Sequence, residues 1–330
     1  MSGQQQPAMA IPYRTLGRTK LAVAPLALGA VELGMDYGIQ APGHFGRPSE
    51  QEAIRIVHAA LAHGINLIDT ARAYGASEAV LGKALRGRRA QAVLATKAST
   101  RLPDGSMPTG AALRRHMLGQ LDMSLRLLQT DAVEIWQLHT VGRPELAQMD
   151  EIAEVLTEAK RLGKARWTGA SFYGTEMPLA ALAQDHFNTL FDTIQVTYSV
   201  FDQRMVDQVF PLAQARHIGV IVRSVLLKGA LTERAEHLPD HLEALRARSR
   251  QFRALVAEME LGLQPAQTAI AFALAQPQTG AVLVGVRSLA ELEENLVALQ
   301  TPLPPAWLER LAALRLDDEA LLNPARWGIP

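Results

Sequence analysis

The stretch Asn66-Leu-Ile-Asp-Thr-Ala-Arg-Ala-Tyr-Gly75 decides how this chain is read. Leu67 and Ile68 make a short apolar run that turns polar at Asp69, and Tyr74 follows where a loop should open. Such a run, bounded by turn residues, reads as a buried strand. A carboxylate at a strand end with a phenol just beyond it is material for acid–base chemistry. The same two residues serve elsewhere as a turn residue and a half-buried packer, so the flanking sequence must choose between the two.

Outward from this stretch, helix and strand signals alternate. Upstream, Ser49 and Glu52 have the spacing of a capping box, then Ile54, Val57, Ala60 and Leu61 form an apolar face that Gly64 ends. Downstream, Ser77 opens a second helix with Val80, Leu81 and Leu85 inward. Apolar strands are predicted at residues 26–29, 67–69, 92–96, 133–138, 165–170, 193–196, 219–222 and 281–284. Helices fall between them, among them one starting at Thr109 and others over 149–162, 178–190, 205–217, 241–261, 265–276, 289–299 and 305–314. Continuous apolar strands between helices imply a parallel sheet covered on both faces. Eight such units favour closure, so the expected fold is an α/β (β/α)8 TIM barrel with an N-terminal β-hairpin and extra C-terminal helices. An open doubly wound sheet would want a Gly-rich fingerprint after its first strand, and none stands there. The hairpin turns at Gly17-Arg18-Thr19. Nothing breaks the alternation, so residues 1–330 read as one domain, with 1–10 a disordered tail and 228–240 a mobile loop.

Composition narrows the function. Lys plus Arg and Asp plus Glu each number 33, so no excess of positive charge marks a nucleic-acid binder. There is no cysteine, which removes disulfides, thiolate catalysis and cysteine-held metals. No apolar run is long enough to span a membrane, and the first residues lack the basic head and apolar stretch of a signal peptide. The expected setting is the cytoplasm, with a small-molecule partner and no metal.

In a barrel of this kind, chemistry collects at the carboxyl ends of the strands. The predicted strands place Asp69, Lys97, His139, Ser171, Gln195 and Arg223 there. Polar groups at the ends of apolar strands are costly to bury unless they pair. Their convergence points to a site.

Asp69 and Tyr74 within Asp-Thr-Ala-Arg-Ala-Tyr, Lys97 within Leu-Ala-Thr-Lys, and His139 within Gln-Leu-His resemble the catalytic tetrad of the aldo–keto reductases. Leu16-Gly-Arg-Thr19, the Leu28-Gly29 strand end and Gly285-Val-Arg-Ser-Leu-Ala-Glu-Leu-Glu-Glu-Asn295 extend the resemblance over almost the full chain. It implies an NADP(H)- or NAD(H)-dependent oxidoreductase that reduces aldehydes and ketones to alcohols by direct hydride transfer. Tyr74 would be the general acid, its pKa brought down from about 10 by the neighbouring Lys97 cation. Asp69 would keep Lys97 charged, and His139 would hydrogen-bond the carbonyl. Read without the resemblance, Asp69 and Lys97 could form a plain buried ion pair, but such pairs are poor stabilisers and Tyr74 nearby argues against it.

On the cofactor side the resemblance implies Ser171 and Gln195 at the nicotinamide amide, with Phe172 standing where Asn is usual. Tyr198 or another group would replace the stacking aromatic, because Arg223-Ser224 ends the seventh strand. Arg223 is a cofactor contact or a structural cation, with both readings open. Gly285, Arg287 and Ser288 lead into a helix whose free amides would favour a phosphate. Arg287 would take an adenosine 2′-phosphate, favouring NADP(H) over NAD(H). Glu291, Glu294 and Asn295 would lie on the adenosine side. Loops 31–48, 101–108 and 228–240, the C-terminal tail, and Tyr37, His44, Phe45 and Trp327 are candidates to shape the pocket, with 228–240 folding over the pyrophosphate. The rival readings are a sugar or alcohol dehydrogenase working toward NAD(P)H, a non-catalytic cofactor-sensing subunit, and a phosphate-using isomerase. Oligomeric state is not readable.

Overall fold

The computed structural model describes residues 11–43 and 45–329; the expected tail over 1–10 and His44 lie outside them. Two short antiparallel strands come first, β1 (Arg14–Thr15) and β2 (Ala22–Val23). Eight parallel strands follow: β3 (Leu26–Gly29), β4 (Leu67–Asp69), β5 (Val93–Ala98), β6 (Val133–Leu138), β7 (Ala165–Ser171), β8 (Thr193–Thr197), β9 (Gly219–Arg223) and β10 (Ala281–Gly285). They close into a barrel as β10 pairs with β3. This is the expected (β/α)8 TIM barrel with its N-terminal hairpin, and helices Pro305–Ala312 and Glu319–Leu322 follow the last barrel unit.

The period of two along each strand builds two separate cores. Ala27, Leu67, Ala95, Ile135, Ile221 and Leu283 cluster with Leu16 inside the barrel. Their neighbours Leu28, Ile68, Leu94, Trp136, Val220 and Val284 face outward into the larger layer beneath the helices. The hairpin closes the amino end of the barrel. Leu16 is fully buried there, against Gly219 and Gly280, and the Arg18 amide donates to His217 O at 2.6 Å. The carboxyl ends of the strands are left open.

Several elements differ from expectation. Ser49 does cap helix Glu50–Ala62, accepting from the Glu52 amide at 3.2 Å. Ser77 opens helix Ser77–Ala84 as expected, as its first residue, and its hydroxyl donates to Ala30 O at 2.8 Å and meets the Thr70 hydroxyl at 2.8 Å. The helix expected over 178–190 is two, Glu176–Leu182 and Asp185–Leu190, parted by extended backbone at Gln184. That over 205–217 is a tight turn at Arg204–Val206 and a short helix Val209–Ala215. Residues 228–240 are no loose loop. Turns at Leu227–Gly229 and Glu233–His237 bury Leu231, Ala235 and Leu238, whose apolar spacing is hidden among charges in the sequence. Among the described residues no helix is long and apolar enough to cross a membrane.

One close approach positions the segment quoted at the outset. The Ala76 amide donates to Gly34 O at 3.1 Å, and Gly75 sits at φ +54°, where a Cβ would meet that same carbonyl at 2.5 Å. On Gly34 a Cβ would collide with the Tyr74 carbonyl and the Ser77 amide. Gly34→Ala is therefore expected to cost about 1–3 kcal/mol by overpacking, read as a lower urea midpoint. Gly119→Ala, in helix Gly110–Leu128 and facing open space, should instead gain up to about 1 kcal/mol. Equal midpoints for the two variants would show that this approach is not tight.

Candidate active site

The site is made by carrying the barrel's interior period one step further. Asp69 follows Leu67, Lys97 follows Ala95, Gln137 follows Ile135 and Arg223 follows Ile221, each on the inward side. In register, Asp69 stands opposite Ala95, Lys97 opposite Gln137, and Ser171 opposite Gln195. The Lys97 ammonium is fully buried. It lies 2.5 Å from Asp69 Oδ2, donates to Thr70 O at 3.0 Å, and reaches the Tyr74 hydroxyl at 3.4 Å. Asp69 Oδ1 accepts from Gln195 at 2.8 Å and from Gln137 at 3.2 Å. The Tyr74 and His139 rings meet edge to face, with centroids 5.4 Å apart. All four residues of the expected tetrad thus come together.

The electrostatics depart from expectation at Tyr74. Burial, then the Asp69 carboxylate, push its phenol well above the usual range; Arg223 opposes them weakly. The expected lowering by Lys97 does not appear; its ammonium is paired with Asp69. Burial lowers the Lys97 pKa while Asp69 works to raise it. His139 is pulled down to about 3, by burial first and then by the Lys97 and Arg223 charges, so its imidazole is neutral.

A groove of about 1170 Å³ opens over these residues. It runs from Tyr74 and His139 past Ser171, Gln195, Arg223 and Ser224 to Gly285, Arg287, Ser288, Glu291, Glu294 and Asn295. That exceeds the roughly 300–1,000 Å³ of an ordinary small-ligand pocket. Tyr198 is a correction: its ring is enclosed by Phe210 and Phe272 in the helix layer and does not line the groove. The aromatic that does face it is Tyr173, on the same side as Ser171, while Phe172 between them turns into the core against Phe187. Arg223 stacks on Tyr173, 4.0 Å from the ring centre, and donates to Phe172 O at 2.8 Å and Ser224 Oγ at 3.1 Å. It is structural and groove-lining at once. Ser224 itself sits at φ +61°, a strained conformation for a side-chain-bearing residue, and turns the chain across the groove.

The far end is more crowded than the sequence suggests. Glu291 accepts from the Arg287 guanidinium and amide, each at 2.8 Å, and from Arg234 at 2.9 Å. Ser288 caps helix Leu289–Gln300, accepting from the Glu291 amide at 3.1 Å, and the Leu289 amide donates to Glu52 at 3.4 Å. The amides expected to be free are thus largely engaged, by the helix's own Glu291, by the Ser288 hydroxyl and by Glu52 from another helix. The roof comes from residues 31–43 and 45–48, including Tyr37 and Phe45, and from residues 224–237. Residues 101–108 and the C-terminal tail lie outside it, and Trp327 is buried in the core. The Ile39 amide donates to Lys228 O at 3.0 Å and joins the two roof segments. Tyr37 lines the groove as expected, whereas Glu32, Gln137, Tyr173, Lys228 and Arg234 are site residues that the sequence does not single out. For Gln137 and Tyr173 the two-residue period was a usable signal.

His139 generates a pH prediction. Its folded pKa lies below the unfolded value of about 6.5, so the unfolded chain binds the proton first. This contribution to stability is present above that value and is lost as pH falls toward 3. His139→Gln should shrink the loss of stability between pH 7 and 4.5 by roughly 1–3 kcal/mol, measured by urea unfolding at both pH values. Parallel losses in the two proteins would mean that the folded imidazole protonates normally.

The Aldo/keto reductase family matches residues 25–315. An oxidoreductase of Bacillus subtilis is 31% identical over 326 residues, covering 91% of this chain and 94% of its own. The L-galactose dehydrogenase of Arabidopsis thaliana is 30% identical over 328 residues, covering 94% and 92%. The structure of an aldo-keto reductase from Bacillus halodurans in its holo form has a TM-score of 0.74 and 26% identity, covering 96% of this chain and 99% of that one. With the barrel and every residue from Asp69 to Asn295 inside the matched region, the chain belongs to the aldo/keto reductase family and is an oxidoreductase.

Proposed function

We propose that this protein reduces aldehydes and ketones to alcohols by direct hydride transfer, with Tyr74 as general acid and NADP(H) favoured over NAD(H). The observation that carries the reading is the Tyr74 hydroxyl, 3.4 Å from the Lys97 ammonium and beside neutral His139, at the inner end of a groove of dinucleotide size. The chain's residues fit such a cofactor: an amide and a hydroxyl at one end, Gln195 and Ser171, and a guanidinium beside a helix start at the other, Arg287. Bound there, the nicotinamide supplies the hydride.

The protein's own part is proton delivery and positioning. A phenol held protonated by burial keeps its proton until a carbonyl oxygen takes up negative charge. Lys97 stabilises the phenolate left behind, and Asp69 keeps Lys97 charged and in place. Neutral His139 donates an N–H to the same substrate oxygen, polarising the carbonyl. Tyr173, Ser171, Gln195, Arg223 and Ser224 flank the nicotinamide end. Gly285, Arg287, Ser288, Glu291, Glu294 and Asn295 hold the adenosine end, Arg287 toward the 2′-phosphate. The oxidative direction uses the same atoms in reverse. The plant relative's name, L-galactose dehydrogenase, supports that second reading with a sugar as substrate.

Tyr74→Phe should lower kcat by about 10²–10⁴-fold on a carbonyl panel while the NADPH Kd, read by fluorescence, is retained. Undiminished turnover would remove Tyr74 as the acid. Arg287→Ala should weaken NADPH roughly tenfold and leave NADH nearly unchanged. An unchanged ratio of the two affinities would take the preference away from Arg287.

A further inference from the structure

Glu32 has no part in the chemistry above. It stands on the short helix Val31–Gly34, and its carboxylate lies over Gly285, where any Cβ would collide with it. The bare glycine lets the carboxyl group sit in the groove wall, between the Tyr74 end and the Arg287 end. Glu32 Oε2 is buried and has no hydrogen-bond partner among the described residues. Leaving a buried carboxylate unpaired is costly. The charged groups around it are Arg287 and Glu291 at the β10 end and the helix after it, Arg234 in the overlying turn, and Tyr37 on its own loop. Arg234 and Arg287 both bond Glu291 Oε1.

A dinucleotide spanning the groove would carry its diphosphate past this carboxylate. Two anions side by side in a groove of low dielectric repel strongly, whereas a neutral acid beside a phosphate is a hydrogen-bond pair. Resting on the cofactor reading given above, we propose that Glu32 is a cofactor-binding residue that enters the complex as the neutral acid: dinucleotide binding draws one proton from solvent onto its carboxyl group, which then donates to a cofactor oxygen. Burial, reinforced by Glu291 and opposed by Arg287 and Arg234, already raises the Glu32 pKa to about 7, so uptake of the proton is easy near neutrality.

The test is calorimetric titration of the full chain with NADH, which lacks a titrating 2′-phosphate, at pH 6.5 and 8.5 in buffers of different ionisation enthalpy. The wild-type protein should take up close to one proton at pH 8.5, and its Kd should weaken roughly tenfold between the two pH values. Glu32→Gln should lose most of both effects and bind more tightly than wild type at pH 8.5. Lys228, lowered by burial to about 8, and His237 also line the groove, but both proteins contain them, so the difference isolates Glu32. Equal pH slopes in the two proteins, or no proton uptake by the wild type, would overturn the role of Glu32 alone. So would weaker binding of Glu32→Gln at both pH values, which would show that the carboxylate itself accepts a ribose hydroxyl. Failure of the wild type to bind NADH or NADPH at any pH would overturn the cofactor reading and this inference together.

Discussion

The ion pair between Asp69 and Lys97 is the interaction on which the rest of the site depends. Both side chains are buried, on neighbouring strands, where neither charge could persist alone. Asp69 satisfies its second oxygen with amides from β6 and β8, so four strands meet at one carboxylate. Lys97 spends its remaining donors on the Thr70 carbonyl and the Tyr74 hydroxyl. The phenol's place is therefore fixed from below by charge and from the side by the Gly34–Gly75 approach. A stable fold and an organised site are here the same set of contacts.

Much of this was legible in the sequence because strands carry a strict period. Apolar runs between helices gave the barrel, and polar residues at their ends gave the tetrad. What escaped lay just past the strand ends, where the period was not carried far enough. Tyr198 and Tyr173 illustrate it: continued alternation sends Tyr198 with Val196 into the helix layer and Tyr173 with Ser171 into the groove. Long-range competition escaped too. No local pattern announces that Glu52 reaches the Leu289 amide, or that Arg234 joins Arg287 on Glu291. The raised pKa of Tyr74 has the same kind of origin, since it comes first from how deeply the fold buries the phenol and then from the Asp69 carboxylate.

The two ends of the groove hold their cations differently. Among the described residues no carboxylate pairs with Arg223, which lies flat on Tyr173 and donates to a carbonyl and a hydroxyl. At the other end two guanidiniums share one carboxylate. Cations held this way are preorganised and need little rearrangement when an anion arrives. The Ile39–Lys228 hydrogen bond draws the two roof segments together above them.

The hairpin at the barrel's base has a kinetic corollary. With Leu16 wedged between Gly219 and Gly280, the amino-terminal mouth is sealed. Everything that visits Tyr74 must come and go through the opposite aperture, so a spent molecule obstructs its successor. Traffic through a single doorway imposes a queue.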